Sequence, residues 1–148
     1  MNLLKHTIDD KGLIEELIPQ KAPFVMVDKL IHFSEEKVIT GFTPPLTNLF
    51  VYNNKFIAAG LIEHMAQSVA LHTGYQYFLK NEPAPTGYIG AIKLAEILEL
   101  PTVDQELITT VTILHEILGV TLVKIQVTSN DRIMANSEMK TVLANEIN

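Results

Sequence analysis

The chain has 148 residues, the length of one ordinary domain, and 47% of them are hydrophobic, which is enough for a sizeable core. Its net charge is -6 and Arg132 is its only arginine, so nucleic acid is not an expected partner. The absence of cysteine excludes disulfides, thiolate metal sites and cysteine nucleophiles. The chain opens without a signal-peptide pattern and has no apolar run long enough for a membrane span, which predicts a cytoplasmic protein with no membrane partner.

The first third of the chain predicts one short helix and two strands. Pro19 ends the helix, and Pro23 favours an extended entry into the first, strongly apolar strand. The segment that follows contains Pro44-Pro45 and Asn53-Asn54, which indicate irregular structure and a turn. The predicted helix covers residues 7–18, the strands cover 24–33 and 37–42, and the irregular segment covers 43–55.

The remainder predicts one long helix followed by a meander of strands. Residues 56–79 contain no proline and many helix formers, and their apolar side chains surround most of the helix. Strand-like runs follow at 88–98, 105–118, 120–129 and 133–143, with Gly119 and Asn130-Asp131 as hairpin turns. The sequence therefore predicts one α+β domain over residues 1–148, with a curved antiparallel sheet around the helix. Dimerisation is the expected way to cover its edges.

Glu63 is the one carboxylate in the apolar first half of the long helix. At 100° per residue it shares a face with Gln67 and with three alanines, Ala59, Ala66 and Ala70. Small side chains allow a ligand or another backbone to approach, and Gln67 has the spacing to hydrogen-bond Glu63. A buried carboxylate would be a candidate acid–base group. Periodicity alone favours the alternative that Glu63 pairs with a lysine or is half exposed.

His64 and His72 lie on a different arc of the helix, eight residues apart. They are more simply explained as histidines that are satisfied by hydrogen bonds or lie at the surface. No further Asp, Glu or His has ligand spacing on that face, so we expect neither a metal nor a cofactor. Asp28, inside the first strand, is expected to point inward and bond to backbone.

Two motifs resemble the beta-hydroxyacyl-acyl-carrier-protein dehydratases. Residues 17–29 read L-I-P-Q-K-A-P-F-V-M-V-D-K, and the family pattern there is roughly L-P-H-R-x-P-x-L-L-V-D-R, with Gln20 in place of the histidine and Lys21 in place of the arginine. Residues 63–67, E-H-M-A-Q, resemble the family's helix signature E-x-x-A-Q. The resemblance extends from about residue 14 to residue 143.

This resemblance implies the hotdog fold, usually dimeric, with active sites at the dimer interface. It implies removal of water from a 3-hydroxyacyl thioester, on acyl carrier protein or coenzyme A, to give a 2-enoyl thioester. In such enzymes a histidine acts on the alpha proton, and Glu63 here would handle the departing hydroxyl. Backbone N–H groups near Ala58 would polarise the thioester carbonyl, with Leu49, Ala59 and Ala66 beside the substrate tunnel.

The catalytic histidine of the resemblance is missing. Its G-H-F-P segment corresponds to residues 45–50, where Leu49 stands at the histidine position, and no histidine occurs between His32 and His64. The chain is more similar to a divergent subgroup, the second dehydratase-like protein of aryl polyene pigment clusters. His64, His72 or a residue of a partner chain are the candidate replacement bases, with Gln67 as an accessory residue.

Three functions therefore stay open. The chain is a 3-hydroxyacyl thioester dehydratase, a hydro-lyase of fatty acid or polyene biosynthesis that uses a replacement base. Alternatively it is a non-catalytic hotdog subunit that binds acyl chains or pairs with an active dehydratase, as a homodimer or heterodimer. The third alternative is an acyl thioesterase in which Glu63 activates water.

Overall fold

A computed structural model describes residues 1–144. It contains two helices, a six-stranded sheet and a small two-stranded hairpin. In chain order the elements are α1 Lys11–Leu17, β1 Lys29–Phe33, β2 Lys37–Phe42, β3 Val51–Tyr52, β4 Lys55–Phe56, α2 Ala58–Leu79, β5 Gly87–Ile97, β6 Leu107–Ile117, β7 Val120–Ser129 and β8 Arg132–Leu143. No helix in this part of the chain is long and apolar enough to cross a membrane.

The large sheet has the strand order β1-β2-β6-β7-β8-β5, and every neighbouring pair is antiparallel. Alternate side chains of β6 and β7 are buried against α2, which is the pattern of a sheet with one covered face. Asn130 and Asp131 both have positive φ, as the tight β7–β8 turn requires. The predicted α+β arrangement, a sheet curved around one long helix, is confirmed.

Two glycines let other elements approach α2 closely. A Cβ at Gly60 would lie 2.6 Å from the Phe56 ring, and a Cβ at Gly74 would overlap the backbone carbonyl of Leu17 at the end of α1. Both glycines are therefore sites of close packing in the helix interior, which explains their presence despite their low helix propensity. Gly74 fixes where α1 crosses α2.

The two edges of the sheet differ. The β1 edge is covered by the amino-terminal segment, because Ile8 exchanges backbone hydrogen bonds with Leu30 and Leu3 N–H donates to Phe33 O. The β5 edge has no such cover among residues 1–144, and nine of its eleven residues are exposed. The unpaired backbone groups along an uncovered edge of this length can pair with another chain.

Two predicted boundaries and one segment predicted to be irregular were wrong. The helix predicted over residues 7–18 begins only at Lys11, because Ile8 pairs with β1 and the Asp10 side chain caps the helix by accepting from Leu13 N–H. The strand predicted over residues 24–33 begins only at Lys29. The polar groups of residues 24–26 bond instead to side chains of α2. The predicted irregular segment 43–55 also contains the β3 strand.

Candidate active site

A groove of about 300 Å³ runs along α2 beside the start of β5 and the end of β8. Its helix wall is formed by Glu63 and the small or apolar side chains that follow at helical spacing. The other wall comes from the open β5 edge and its neighbour β8. The lining residues are Pro19, Gln20, Glu63, Ala66, Val69, Ala70, Thr73, Pro85, Gly87, Tyr88, Ile89, Thr141, Val142 and Leu143.

Glu63 lies half-buried in this groove, held by Gln67. Gln67 Nε2 donates to Glu63 Oε2 at 2.8 Å, the bond that their spacing predicts. The same amide donates to Phe24 O and accepts from Met26 N–H, both at 2.7 Å. Gln67 is fully buried, so these bonds fix its side chain, and Gln67 in turn orients the Glu63 carboxylate.

His64 is a structural histidine. Its side chain is fully buried, with Nδ1 2.7 Å from Met26 O and Nε2 2.6 Å from Thr109 Oγ1. A carbonyl oxygen only accepts, so Nδ1 carries the proton and Nε2 accepts from the Thr109 hydroxyl. Burial lowers the pKa of His64 to about 4. Both ring nitrogens are occupied outside the groove, so His64 does not stand beside Glu63 as a replacement base.

His72 is also engaged away from the groove. Its Nε2 donates to Ser34 O at 2.8 Å, and its ring lies 5.1 Å from that of Phe33. Burial lowers the pKa of His72, which the hydrogen bond to Ser34 partly offsets. The structure therefore supports the satisfied-histidine explanation for both helix histidines. Within residues 1–144 no group of three His, Asp or Glu side chains is placed to hold a metal ion.

Ala58, which the resemblance assigns to the oxyanion position, is the first residue of α2. The first backbone N–H of α2 to bond the preceding turn is that of Leu61, which reaches Ile57 O at 3.1 Å. The N–H groups of Ala58, Ala59 and Gly60 have no acceptor within the described part of the chain. The helix dipole adds partial positive charge at these donors.

The predicted tunnel residues divide into two groups. Ala66 lines the groove, whereas Ala59 and Leu49 lie outside it and are exposed. Ala59 is excluded because the groove begins at Glu63 and continues toward the carboxyl end of α2. Leu49, at the position of the missing histidine, is 45% exposed in this protomer and does not face its own Glu63 groove.

Sequence analysis missed four polar residues that line the groove: Gln20, Thr73, Tyr88 and Thr141. Their local sequence patterns do not indicate a site, and the one available signal was the departure from the dehydratase pattern at Gln20.

Asp28 does not line the groove. It accepts from Thr43 N–H at 3.0 Å, as expected, and burial raises its pKa.

Comparison with known proteins shows the family of this chain. The sequence profile of the ApeP-like family, described as ApeP dehydratase, matches residues 13–148. The chain belongs to the ApeP-like dehydratase family. It is also 30% identical over 117 residues to the 3-hydroxyacyl-[acyl-carrier-protein] dehydratase FabZ of Vibrio atlanticus, covering 72% of this chain and 75% of that protein.

Solved structures place this ApeP-like protein among hotdog folds. The dehydratase heterocomplex ApeI:P from Xenorhabdus doucetiae matches with a TM-score of 0.82 at 15% identity, covering 90% of this chain and 93% of that chain. A hypothetical thioesterase from Streptococcus pneumoniae TIGR4, solved with coenzyme A, matches with a TM-score of 0.61 at 10% identity, covering 78% and 84%. At these identities the matches show the fold alone, and the predicted hotdog fold is confirmed.

Proposed function

We propose that this dehydratase-like protein supplies the acid group of an acyl-thioester dehydratase, and that the group is Glu63. The observation that carries the proposal is a carboxylate held in a defined orientation by a buried amide, at one end of a groove whose helix wall contains two alanines. A groove of this shape fits an acyl chain, and the carboxylate at its end meets the polar head of that chain.

The reaction is elimination of water from a 3-hydroxyacyl thioester. A base removes the alpha proton, the C–O bond at carbon 3 breaks, and the departing hydroxyl takes a proton from Glu63. The products are a 2-enoyl thioester and water. The thioester oxygen gains negative charge as the alpha proton leaves, and the free N–H groups at Ala58 and its neighbours stabilise that charge.

The base comes from a second hotdog protomer. No histidine lines the groove of this protomer, and the groove opens at the uncovered β5 edge, where Tyr88 and Ile89 belong to both features. A protomer that pairs with β5 would therefore lie against the open side of the groove. In a homodimer the segment around Leu49 would bring no base, whereas a partner with a histidine at that position would supply one.

The similarities to known dehydratases support the proposed dehydratase function. The name of the solved complex describes a heterocomplex of dehydratase chains, and the FabZ relative is named for acyl-carrier-protein substrates. By analogy, we propose a heterodimer that acts on a thioester of acyl carrier protein in the cytoplasm. The single-domain organisation over residues 1–148 belongs to the same proposal.

The test is an enoyl-formation assay on a 3-hydroxyacyl thioester of acyl carrier protein. The purified chain is assayed alone, with a hotdog dehydratase that carries the G-H-F-P histidine, and with the histidine-to-alanine variant of that partner. We expect turnover only with the intact partner. Equal turnover with the histidine variant contradicts the composite site, and thiol release without enoyl formation indicates a thioesterase instead. No product in any mixture supports the non-catalytic subunit.

A further inference from the structure

His64 and Gln67 bind the same backbone residue, Met26. His64 Nδ1 donates to Met26 O at 2.7 Å, and Met26 N–H donates to Gln67 Oε1 at 2.7 Å. The two side chains are three residues apart on α2, so they are neighbours on the helix surface. All three residues are fully buried. One turn of the helix therefore holds Met26 at both its donor and its acceptor.

The Met26 N–H decides which way the Gln67 amide faces. An amide side chain can turn by half a rotation, which exchanges its oxygen and its NH2 group. Because Met26 N–H only donates, it holds the amide oxygen of Gln67 on its own side. The NH2 group then faces Phe24 O at 2.7 Å and Glu63 Oε2 at 2.8 Å. A turned amide would instead place its oxygen against the Glu63 carboxylate.

The position of Met26 depends in turn on His64. Residues 24–26 precede β1, so no strand pairing fixes them. Within residues 1–144 the hydrogen bond of Met26 O is the one to His64. A buried carbonyl that loses its donor is costly, so without His64 the segment would turn Met26 O toward another donor or toward water. That movement would withdraw Met26 N–H from Gln67.

The His64 ring is itself fixed from the sheet. Its Nε2 accepts from Thr109 Oγ1 on β6 at 2.6 Å, and the Phe42 ring of β2 stacks on it at a centroid distance of 6.0 Å. Burial lowers the pKa of His64 to about 4, so the ring is neutral at pH 7 and its single N–H serves Met26 O. The sheet therefore positions the imidazole, and the imidazole positions Met26.

We infer that His64 is a positioning residue for Glu63, acting through the Met26 backbone and the Gln67 amide. This series of hydrogen bonds holds Glu63 Oε2 against Gln67 and leaves Oε1 to meet the departing hydroxyl. The imidazole does not line the groove, so His64 acts without contacting the substrate. The inference rests on the proposed function for the role of Glu63 as the acid.

Two substitutions of His64 separate its two hydrogen bonds. Asparagine places its amide nitrogen as many bonds from the backbone as Nδ1, so His64→Asn keeps the donor to Met26 O and loses the bond to Thr109. Glutamine places its amide one bond further out, at the position of Nε2, so His64→Gln keeps the bond to Thr109 and loses the one to Met26. Ser68→Ala is the matched control, because Ser68 is another fully buried polar residue of α2 whose hydroxyl bonds to Thr40 and to His64 O.

The first readout is enoyl formation by the complex with a histidine-bearing dehydratase, over a range of 3-hydroxyacyl thioester concentrations. His64→Gln should lower kcat about ten- to a hundredfold and leave KM unchanged, because it disturbs the orientation of the acid and not the binding of the acyl chain. His64→Asn and Ser68→Ala should keep kcat close to that of the wild type. An unchanged kcat in His64→Gln, or an equal loss in His64→Asn, contradicts the inference.

NMR spectra of the nitrogen-labelled chain give a second readout that needs no turnover. We expect the His64 ring proton on Nδ1 at pH 7, and slow hydrogen exchange of the Gln67 NH2 group, because both of its protons are bonded. This exchange should be about three- to tenfold faster in His64→Gln and unchanged in His64→Asn. A ring proton on Nε2, or unchanged exchange in His64→Gln, overturns the inference. If His64→Gln does not fold, the wild-type ring proton and the kcat of His64→Asn decide the outcome.

The two readouts separate this inference from the proposed function. If no mixture forms the enoyl product while exchange of the Gln67 amide depends on His64 as expected, the dehydratase proposal alone is wrong. If turnover occurs and His64→Gln has the kcat of the wild type, only the inference about His64 is wrong.

Discussion

Gln67 Nε2 donates to Glu63 Oε2 at 2.8 Å, and the same amide binds the backbone of Phe24 and Met26 on a segment some forty positions earlier in the chain. One side chain thus fixes the proposed acid and also the extended segment that closes over the helix. The orientation of Glu63 and the folding of residues 24–26 are therefore coupled through Gln67.

Gln67→Leu should be strongly destabilising. The substitution leaves the buried Met26 N–H and the part-buried Phe24 carbonyl without this partner, and a buried unpaired group costs about 1–3 kcal/mol. We expect the free energy of unfolding to fall by about 2–4 kcal/mol in urea denaturation. Gln126→Leu, on an exposed position of β7, is the control and should stay within about 0.5 kcal/mol of wild type. Equal effects of the two variants would show that the Gln67 bonds do not stabilise the fold.

Stability should fall in acid because of His64. Its pKa is lowered by burial from 6.5 to about 4, so protonation favours the unfolded chain. The free energy of unfolding therefore has its full value, as far as His64 is concerned, above pH 6.5 and decreases as the pH falls toward 4. A lowering of this size corresponds to about 3 kcal/mol.

Urea denaturation of wild type and His64→Gln across that range checks this prediction. Other groups also make the free energy of unfolding depend on pH: His72 adds a slope of the same sign as His64, and Asp28, whose pKa is raised by burial, adds one of the opposite sign. Both proteins contain these groups, so the difference between the two curves isolates the contribution of His64. We expect the variant to show the shallower dependence. Parallel curves for the two proteins would mean that His64 is not buried in its neutral form.

Gly74→Ala should loosen the packing of α1 on α2. A Cβ at this position overlaps the Leu17 carbonyl, and backbone cannot move aside as a flexible side chain can. Overpacking of this kind costs about 1–3 kcal/mol. Thermal unfolding should show a lower Tm for this variant, whereas Gly87→Ala, whose Cβ would meet Val142 O at 3.4 Å, should be tolerated better. An unchanged Tm for Gly74→Ala would contradict the close approach.

Ala70→Leu should block the groove. The added side chain fills the helix wall opposite Gln20, so acyl ligands should bind at least about tenfold more weakly, the effect of losing roughly 1.4 kcal/mol. The measurement is calorimetric titration with a saturated acyl-coenzyme A thioester. Thr112→Leu on an exposed position of β6 adds the same side chain elsewhere and should have no effect. Unimpaired binding by Ala70→Leu would place the acyl chain outside this groove.

Periodicity along α2 predicted the part of the site that lies on one helix. Glu63, Ala66 and Ala70 share a face in sequence and in structure, and Gln67 makes the predicted bond to Glu63. The same periodicity did not decide the role of His64, because only tertiary contacts bring Thr109 and Met26 to its ring.

The parts of the fold that sequence analysis missed depend on contacts distant along the chain. Residues 24–28 are apolar enough for a strand, but Gln67 takes the hydrogen bonds that a neighbouring strand would make. The cover of β1 by the amino-terminal segment, through Ile8 and Leu30, likewise has no local signal. Gln20 was visible only as a departure from the dehydratase pattern.

The central claim is that Glu63 is the acid of a site whose base comes from a partner hotdog protomer. The most direct test is a single-turnover enoyl assay on the complex with a histidine-bearing dehydratase, comparing Glu63→Gln in this chain with the equivalent helix substitution in the partner. Glu82→Gln, an exposed carboxylate just after α2, is the control. We predict that Glu63→Gln lowers the rate by at least about 100-fold, while the partner substitution and the control leave it nearly unchanged. Full activity of Glu63→Gln, or loss of activity only when the partner's helix carboxylate is removed, would contradict the account.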